Sequence, residues 1–394
     1  MKNMLPWLIL GLSLRLVLMP VTLHPDFRAV NFAADIIVHK GQILDFYNYL
    51  SRQPRTDPLV KLYGDGLFIY PPLAYLTHAL FNFFLSPLYP HSAFNTLISD
   101  IGQLRSDPGL PFLLLLLKLP YLLADILCLL LIYRLLPDKL KISGSLLWIF
   151  NPVNIYVSYM IGQFDIFIAL FLLLAVYLSK RKSLLAAVCI GLAAGFKPLP
   201  LFFLPLLPGP KLKNIIVGLL TYLVIIIPYL ASSGFRQYAL LAGLSDKIVY
   251  AKIMVSGSQF IPLFVLGLVL IYWWQWLKPG DLSLSGWFSA LLLLFYSVTH
   301  FHPQWFVWVT PFLLLLYIRN PRLKFPTLII MLSYLIIILG FEPSLHLGLF
   351  GINFSFFDWM NRFYPAGTAI SIARGILAAS GLFLVSQIRH PDSD

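Results

Sequence analysis

The sequence predicts an all-α, polytopic transmembrane helical bundle that forms a single domain over residues 1–394. Three observations support this prediction. Hydrophobic residues make up 59% of the chain and its mean hydropathy is +0.83, so a soluble fold could not hide its apolar surface. Only 11% of the residues are charged, against roughly 25% in an average soluble domain. The apolar residues also occur in long segments separated by short basic clusters, as in helices that cross a bilayer.

Thirteen apolar segments follow one another along the chain. They lie at residues 5–22, 67–88, 110–133, 143–160, 164–179, 184–196, 199–207, 213–231, 260–277, 286–300, 304–318, 325–341 and 366–387. A full span needs about 20 residues, and Gly195 and Lys197-Pro198 interrupt two of the shorter segments. Such breaks need cover from protein or a water-filled cavity. We expect about 12 spans with both termini in the cytoplasm, provided that the 67–88 segment re-enters or one early boundary lies elsewhere.

The basic residues indicate which loops face the cytoplasm. They cluster between apolar segments, at Arg134/Lys139/Lys141, Lys180/Arg181/Lys182, Lys211/Lys213, Arg319/Arg322/Lys324 and Arg389. The positive-inside rule predicts this distribution, whereas a nucleic-acid-binding protein would gather its cations on one water-exposed surface. The net charge of +12 therefore predicts a multi-pass bilayer protein with no nucleic-acid partner. We place it in the plasma membrane of a prokaryote, or in the ER membrane of a eukaryote.

Three long loops are expected on the extracytoplasmic side, at about 23–66, 232–259 and 342–365. The first contains five of the sixteen acidic residues, Asp26, Asp35, Asp45, Asp57 and Asp65. It also has two amphipathic stretches, at 27–38 and 43–51, suited to lie as interfacial helices along the membrane surface. Long patterned loops usually carry function, so we expect the working face to be the outer one.

Short motifs resemble those of one enzyme superfamily. They are His24-Pro25-Asp26-Phe27-Arg28, Tyr63-Gly64-Asp65, Tyr70-Pro71-Pro72-Leu73-Ala74-Tyr75, Lys118 with Asp125, Asn151-Pro152 with Gly162-Gln163-Phe164-Asp165, and His302-Pro303-Gln304-Trp305. Over about residues 1–320, their order resembles the GT-C superfamily of membrane glycosyltransferases. The resemblance implies a GT-C-like bundle and an inverting hexosyltransferase. It would move mannose or glucose from a polyprenyl-phosphate or dolichyl-phosphate donor to a lipid-linked glycan, glycolipid or protein acceptor.

The resemblance places the general base at Asp26, just after the first apolar segment. The donor phosphate leaves without protonation, so the enzyme must deprotonate the acceptor hydroxyl and stabilise the departing charge. Helix capping is the structural alternative for Asp26. Many family members carry a second acidic residue close by, whereas here the next is Asp35, nine residues on. Because a hard divalent ion needs several oxygen ligands, we expect a metal-independent reaction without a cofactor.

Two further groups of residues complete the predicted site. Candidates for binding the donor phosphate are His302, His300, Lys197 and Arg28. Candidates for binding the sugar or acceptor are Asp65, Tyr70, Tyr63, Gln163, Asp165 and Gln304. A histidine at the lipid–water boundary could titrate near neutral pH. Each assignment has an alternative, which is a solvated loop or aromatic belt for the histidines, loop capping for Gln163 and Asp165, and interhelical pairing for Lys118 and Asp125.

A function of another class stays open, namely a secondary transporter or lipid flippase. Broken helices and buried charges favour it. The absence of a convincing sequence repeat argues against it, as does the concentration of acidic residues in an outer loop. A noncatalytic membrane scaffold is a third possibility, in which substitutions at Asp26 and His302 would have no effect.

Overall fold

The computed structural model describes residues 4–240 and 247–388, which are mainly helical. The α-helices are α1 (Leu5–Val21), α2 (Phe27–His39), α3 (Pro58–Tyr63), α4 (Pro72–Leu85), α5 (His91–Ser99), α6 (Ile101–Leu104), α7 (Leu110–Leu135), α8 (Lys141–Ile149), α9 (Pro152–Asn154), α10 (Asp165–Ser179), α11 (Ser183–Ala194), α12 (Lys211–Ile226), α13 (Leu263–Leu277), α14 (Leu284–Val298), α15 (Thr310–Arg319), α16 (Lys324–Leu339), α17 (Phe356–Asn361) and α18 (Ala366–Gln387). The all-α prediction is confirmed. The cytoplasmic interpretation of Arg389 lies outside the described residues.

Shorter 3₁₀ or π segments extend or connect these helices. They are Phe46–Asn48, Leu50–Arg52, Ser86–Leu88, Asp138–Leu140, Ile155–Ile161, Leu199–Leu206, Ile227–Tyr229, Phe235–Leu240, Pro303–Trp308, Pro321–Leu323, Pro343–Leu345 and Leu347–Phe350. Six of them have a proline at the first or second position, where its missing N–H costs no helical hydrogen bond.

Four helical stretches are long and apolar enough to cross a membrane. They are Leu110–Leu135, Lys211–Tyr229, Pro321–Leu339 and Ala366–Gln387. Six shorter apolar helices accompany them, namely α1, α10, α11, α13, α14 and α15. Their outer surfaces expose many leucine, isoleucine and phenylalanine side chains, which water would not tolerate over such an area. The chain is therefore an integral membrane protein.

The helix ends form two faces of the bundle. The basic face consists of the loops at 135–141, 179–183, 206–211, 278–285 and 319–324, which meet around one cavity of about 1180 Å³. The loop face consists of residues 22–109, 230–240, 247–262, 299–303 and 340–365. Its segments are joined by backbone contacts, such as the bond from Leu23 N to Leu349 O at 2.9 Å and that from Ala251 N to Val298 O at 3.3 Å.

Helix α11 and the segment Leu199–Leu206 form a pair that enters the bundle and returns. Helix α11 has 12 residues, a length of about 18 Å, and the return segment ends beside the start of α11, because a Cβ added at Gly209 would lie 3.1 Å from Ser183 Oγ. The turn at 195–198 contacts the start of α4, where Leu73 N donates to Gly195 O at 3.0 Å. The break that the sequence indicates is thus the tip of a helix pair inside the protein.

The 67–88 segment contains α4, which has 14 residues. Its length of about 21 Å falls short of the hydrocarbon core of about 30 Å. Helix α4 packs against α2 on the loop face. Residues 22–109 therefore belong to the loop face, and α4 is not among the apolar helices that are candidates for crossing a membrane.

The loop face differs from the prediction in two further respects. Helix α2 buries eight of its 13 residues, so it packs inside the protein instead of lying along the membrane surface. The stretch 43–51 forms only short 3₁₀ turns. Strands β1 (Lys252–Ser256) and β2 (Gln259–Pro262) form an antiparallel hairpin, an element absent from the all-α prediction. Its turn uses Gly257 at φ +53°, a conformation that favours glycine.

A buried polar network joins α1, α7 and the region after α8. The Asp125 carboxylate accepts four bonds, from Arg15 Nε at 2.7 Å, Trp148 Nε1 at 2.7 Å, Asn154 Nδ2 at 2.7 Å and Tyr159 Oη at 2.6 Å. A charge buried in this way must be paired and fully hydrogen-bonded. Interhelical pairing, one of the two interpretations of Asp125, is confirmed.

The ammonium of Lys118 closes the same region on its loop-face side. It donates to Met19 O at 2.9 Å, to Thr22 O at 2.7 Å and to Tyr159 O at 2.8 Å. These carbonyls belong to the last turn of α1 and to the π segment Ile155–Ile161, so one cation satisfies the ends of two helical segments. This contact fixes the start of the loop that carries Asp26 relative to the turn that carries Gln163.

Candidate functional site

The Asp26 side chain lies on the loop face and is 42% exposed. Its Oδ2 accepts a hydrogen bond from Gln163 Nε2 at 2.9 Å. The Asp26 backbone N–H donates to His24 Nδ1 at 3.2 Å, which leaves the ring proton of a neutral His24 on Nε2. Burial lowers the pKa of His24. Asp26 precedes α2 but makes no side-chain capping bond, so capping does not account for its carboxylate.

The partner of Asp26 is positioned by a left-handed glycine. Gly162 ends the π segment at φ +75°, and a Cβ added there would lie 2.2 Å from the Phe27 ring. Only glycine fits both this backbone conformation and this contact. The chain therefore turns sharply at Gly162, and Gln163 reaches Asp26 from the next position.

A buried ion pair lies beside this carboxylate. Lys197 Nζ, at the tip of the helix pair, contacts Asp165 Oδ1 at 2.7 Å, and Trp308 Nε1 donates to the same oxygen at 2.9 Å. Asp165 Oδ2 has no partner among the described residues. Asp26 is close enough to act electrostatically on both members of the pair. The site thus contains two carboxylates in different settings, one buried and paired, the other partly open to solvent.

Aromatic rings surround the Lys197 ammonium. The centroids of Tyr70, Phe164, Trp305 and Trp308 lie between 4.9 and 5.5 Å from Nζ. Such contacts stabilise a cation by about 2 kcal/mol or more when water is excluded. Tyr70 therefore lies at the site, as predicted, although what it meets there is the lysine.

Lys247, His300 and His302 add positive and hydrogen-bonding groups at the edge of the site. Lys247 Nζ lies 4.5 Å from the centroid of the Trp305 ring, and the two imidazoles are 5.6 Å apart. Burial, together with nearby Lys247 and Lys197, lowers the pKa of His302 to about 3. His302 is therefore a neutral hydrogen-bonding group at physiological pH, which corrects the expectation that it titrates near neutrality. Burial also lowers the pKa of His300.

Three predicted site residues make their contacts elsewhere. The Arg28 guanidinium lies 5.3 Å from the centroid of the Tyr63 ring, and Tyr63 donates its hydroxyl to Ile98 O. Asp65 pairs with Arg55 at 3.2 Å. Among the described residues, none of these three bonds to Asp26, because the segment 55–65 folds towards α5. Their assignment to the donor phosphate (Arg28) and to the sugar or acceptor (Tyr63 and Asp65) stays a prediction.

Two more predicted residues are buried. Asp165 has no exposed surface and Gln304 is 3% exposed. A direct bond from Asp165 to a sugar hydroxyl is therefore incompatible with this structure, because its carboxylate is already engaged by Lys197. Gln304 keeps a buried Oε1 without a partner in the described part of the chain.

The prediction missed Lys247, Trp305 and Trp308 as parts of the site. One signal was available for Lys247, which is a cation in a loop expected on the outer side, where the positive-inside rule disfavours it. No group of three or more metal-ligating side chains occurs among the described residues. The cavity of about 1180 Å³ lies at the basic face, away from these residues.

Chemically, the site offers a partly exposed carboxylate oriented by an amide, with the His24 ring 3.8 Å away and Lys197 close enough to act on it electrostatically. A carboxylate of this kind can accept a proton from a hydroxyl group, and the neighbouring donors can stabilise a developing anion. Comparison with known proteins adds no family to this picture, since no family model, no curated protein and no solved structure matches the chain.

Proposed function

We propose that this protein is an inverting glycosyltransferase that uses a polyprenyl-phosphate-linked hexose on the extracytoplasmic face. The observation that carries the proposal is the Asp26 carboxylate, which is held by Gln163 at 2.9 Å and partly exposed. It acts electrostatically on Lys197, and the Trp305 ring that contacts Lys197 also contacts Lys247 and His302. A base next to a group of phosphate-binding donors is what transfer from a sugar phosphodiester requires.

In the proposed reaction, Asp26 removes the proton of an acceptor hydroxyl. The hydroxyl oxygen attacks the anomeric carbon, the bond between that carbon and the donor phosphate breaks, and the configuration inverts. The leaving polyprenyl phosphate takes the electron pair and is stabilised by Lys247 and by hydrogen bonds from His302. Lys197 is held in a buried ion pair with Asp165, so its proposed role is to order the surrounding aromatic rings and to contribute positive charge without contacting the donor.

The proposed membrane topology follows from the two faces. Ten helical passes connect them, formed by α1, α7, α8 with Ile155–Ile161, α10, α12, α13, α14, α15 with Pro303–Trp308, α16 and α18. The helix pair enters and returns without crossing, so the proposed topology has ten crossings, fewer than the 12 or so expected from the sequence. The cations of the basic loops favour a cytoplasmic position for their face, and the proposal therefore assigns the Asp26 face to the extracytoplasmic side.

The test is transfer by purified protein incubated with labelled polyprenyl-phosphate mannose or glucose and a membrane lipid extract as acceptor. Asp26→Asn should abolish labelled product while the protein still folds. The matched control is Asp35→Asn, which removes another carboxylate of the same region, 25% exposed and next to His39. Near-normal transfer by Asp26→Asn would exclude Asp26 as the base.

The buried Asp165–Lys197 pair at a broken helix pair favours a second candidate, a secondary transporter or flippase. Counterflow of a labelled sugar phosphate or lipid in proteoliposomes, without covalent transfer, would identify this function instead. Loss of both activities on substitution of Lys197 would not separate the two candidates, so the readout must be the labelled product itself.

A further inference from the structure

A large cavity of the described part of the chain lies at the basic face, opposite the Asp26 site. Its volume of about 1180 Å³ exceeds the 300–1,000 Å³ typical of small-molecule sites. Five cationic side chains line it, namely Lys139, Lys180, Lys211, Arg319 and Arg322. No acidic residue is among the described residues that line it.

Among the described residues, two carboxylates in the basic loops have other partners. Asp138 pairs with Lys141 at 2.6 Å, and Asp281 accepts from Trp274 Nε1 at 2.8 Å. The positive-inside rule explains why cations occupy these loops, but it does not explain why five of them surround one concave space. Concentrated charge of one sign in a cleft focuses the electrostatic potential and attracts the opposite charge.

Hydrogen bonds to the surrounding protein fix two of the cations that line the cavity. Lys211 Nζ donates to Gln275 Oε1 at 3.2 Å, and Arg319 Nη2 donates to Leu135 O at 2.8 Å, so two cations are held in place by the protein. Trp287 also lines the cavity, is 2% exposed, and has an indole N–H without an acceptor in the described part of the chain. A buried donor without a partner is costly, and a ligand oxygen would supply one.

Between the cations, the lining includes eight leucines together with proline, serine and amide side chains. An occupant must therefore be both anionic and apolar. We infer that this cavity binds a phosphate-bearing amphiphile at the cytoplasmic face, through its phosphate group and the adjoining apolar chain. This site is independent of the proposed transfer reaction, because it shares no residue with the Asp26 site and opens on the opposite face.

The sequence provides a matched control for the test. The triple variant Lys139→Gln/Lys180→Gln/Arg322→Gln removes three cavity cations. The control Lys141→Gln/Lys182→Gln/Lys324→Gln removes three cations from the same loops, each two residues further on, and none of these lines the cavity. Both variants lose the same charge, so a general attraction of the basic surface for anions weakens equally in both.

Two measurements distinguish the sources of the phosphate. Native mass spectrometry of protein from nanodiscs of phosphatidylcholine with phosphatidic acid reports retained lipid, and calorimetry with inorganic pyrophosphate reports a free anion. We expect retained phosphatidic acid, with binding weakened at least about tenfold in the cavity variant, since each cation contributes about a fivefold factor near an anionic group. The control should change less than about twofold.

Each outcome decides the matter. Weakening of phosphatidic acid retention in the cavity variant alone supports the inference. Binding of pyrophosphate alone, with the same dependence, assigns the cavity to a soluble phosphate and overturns the amphiphile. Equal loss in both variants, or no binding of either probe by the wild type, overturns the site itself. Thermal melting of both variants checks that they remain folded.

Discussion

Replacement of Lys197 by methionine tests the buried ion pair and its place in the site. Methionine keeps the length and apolar stem of the side chain but removes the ammonium. Asp165 would then keep one donor, Trp308 Nε1 at 2.9 Å, while its other oxygen has no partner in the described part of the chain. The carboxylate has no exposed surface, so water cannot replace the lost cation.

The expected cost follows from this arrangement. Breaking a buried pair by removing one partner destabilises a protein by about 3–5 kcal/mol, because the remaining charge is uncompensated. The double variant Lys197→Met/Asp165→Asn removes that charge and keeps an acceptor for Trp308, so we expect it to recover about half of the loss. Lys247→Met, which removes a cation that contacts the Trp305 ring, should cost no more than about 1 kcal/mol.

Two buried cysteines provide the assay. Cys128 has no exposed surface and Cys189 is 5% exposed, so a thiol-reactive fluorophore labels them only as the bundle opens on heating. The order of melting temperatures should be wild type, then Lys247→Met, then the double variant, then Lys197→Met. Two results would show that the pair does not stabilise the fold as the geometry indicates. One is a Lys197→Met variant that melts like the wild type, and the other is a double variant that melts below Lys197→Met.

Three further changes address the residues around Asp26. Gln163→Leu removes the donor at 2.9 Å from Asp26 and should lower the initial rate of labelled transfer roughly 10- to 100-fold by misorienting the base; an unchanged rate would remove Gln163 from the site. Gly162→Ala must hold φ +75° and meet the Phe27 ring, so it should lower stability by about 2 kcal/mol or more, measured by the same melting assay. The pKa of His302, about 3 in the folded protein and about 6.5 when unfolded, means that the unfolded chain binds more protons between these values. Wild-type stability should therefore fall as pH drops below about 6.5, and His302→Gln should fall less; parallel pH profiles would contradict this.

The sequence predicts the helices and part of the site for a local reason. Hydrophobic segments of this length leave few alternatives to a helix in a bilayer, and the glycine before Gln163 signals a sharp turn. The Asp26–Gln163 contact joins residues 137 positions apart. Only the resemblance of the motif order to that of a known superfamily suggested that they belong to one site.

The sequence does not predict the contacts of a residue when its partners lie far away along the chain. Asp165 looks like a loop residue until Lys197 and Trp308, 32 and 143 positions away, are brought to it. Asp65 lies in a long outer loop whose direction depends on Arg55 and on packing against α5, and no periodic pattern encodes that choice. The 67–88 segment is apolar enough to suggest a span, but α4 packs on α2. The face that α4 buries includes His78 and Asn82, whereas its large apolar side chains Leu80, Phe83 and Phe84 are exposed.

The polar groups inside the bundle also bear on how the chain is inserted. Synthesis proceeds from the N-terminus, so Asp165 is already in place when Lys197 emerges, and the tip of the helix pair finds its counter-charge on arrival. For Arg15 the order of synthesis is reversed, because its partner Asp125 follows it by 110 residues and is made later. Until α7 arrives, α1 must carry a guanidinium that costs about 2.5–3.5 kcal/mol at the centre of a bilayer. Stable insertion of α1 therefore depends on α7, which is synthesised later and carries the counter-charge of Arg15.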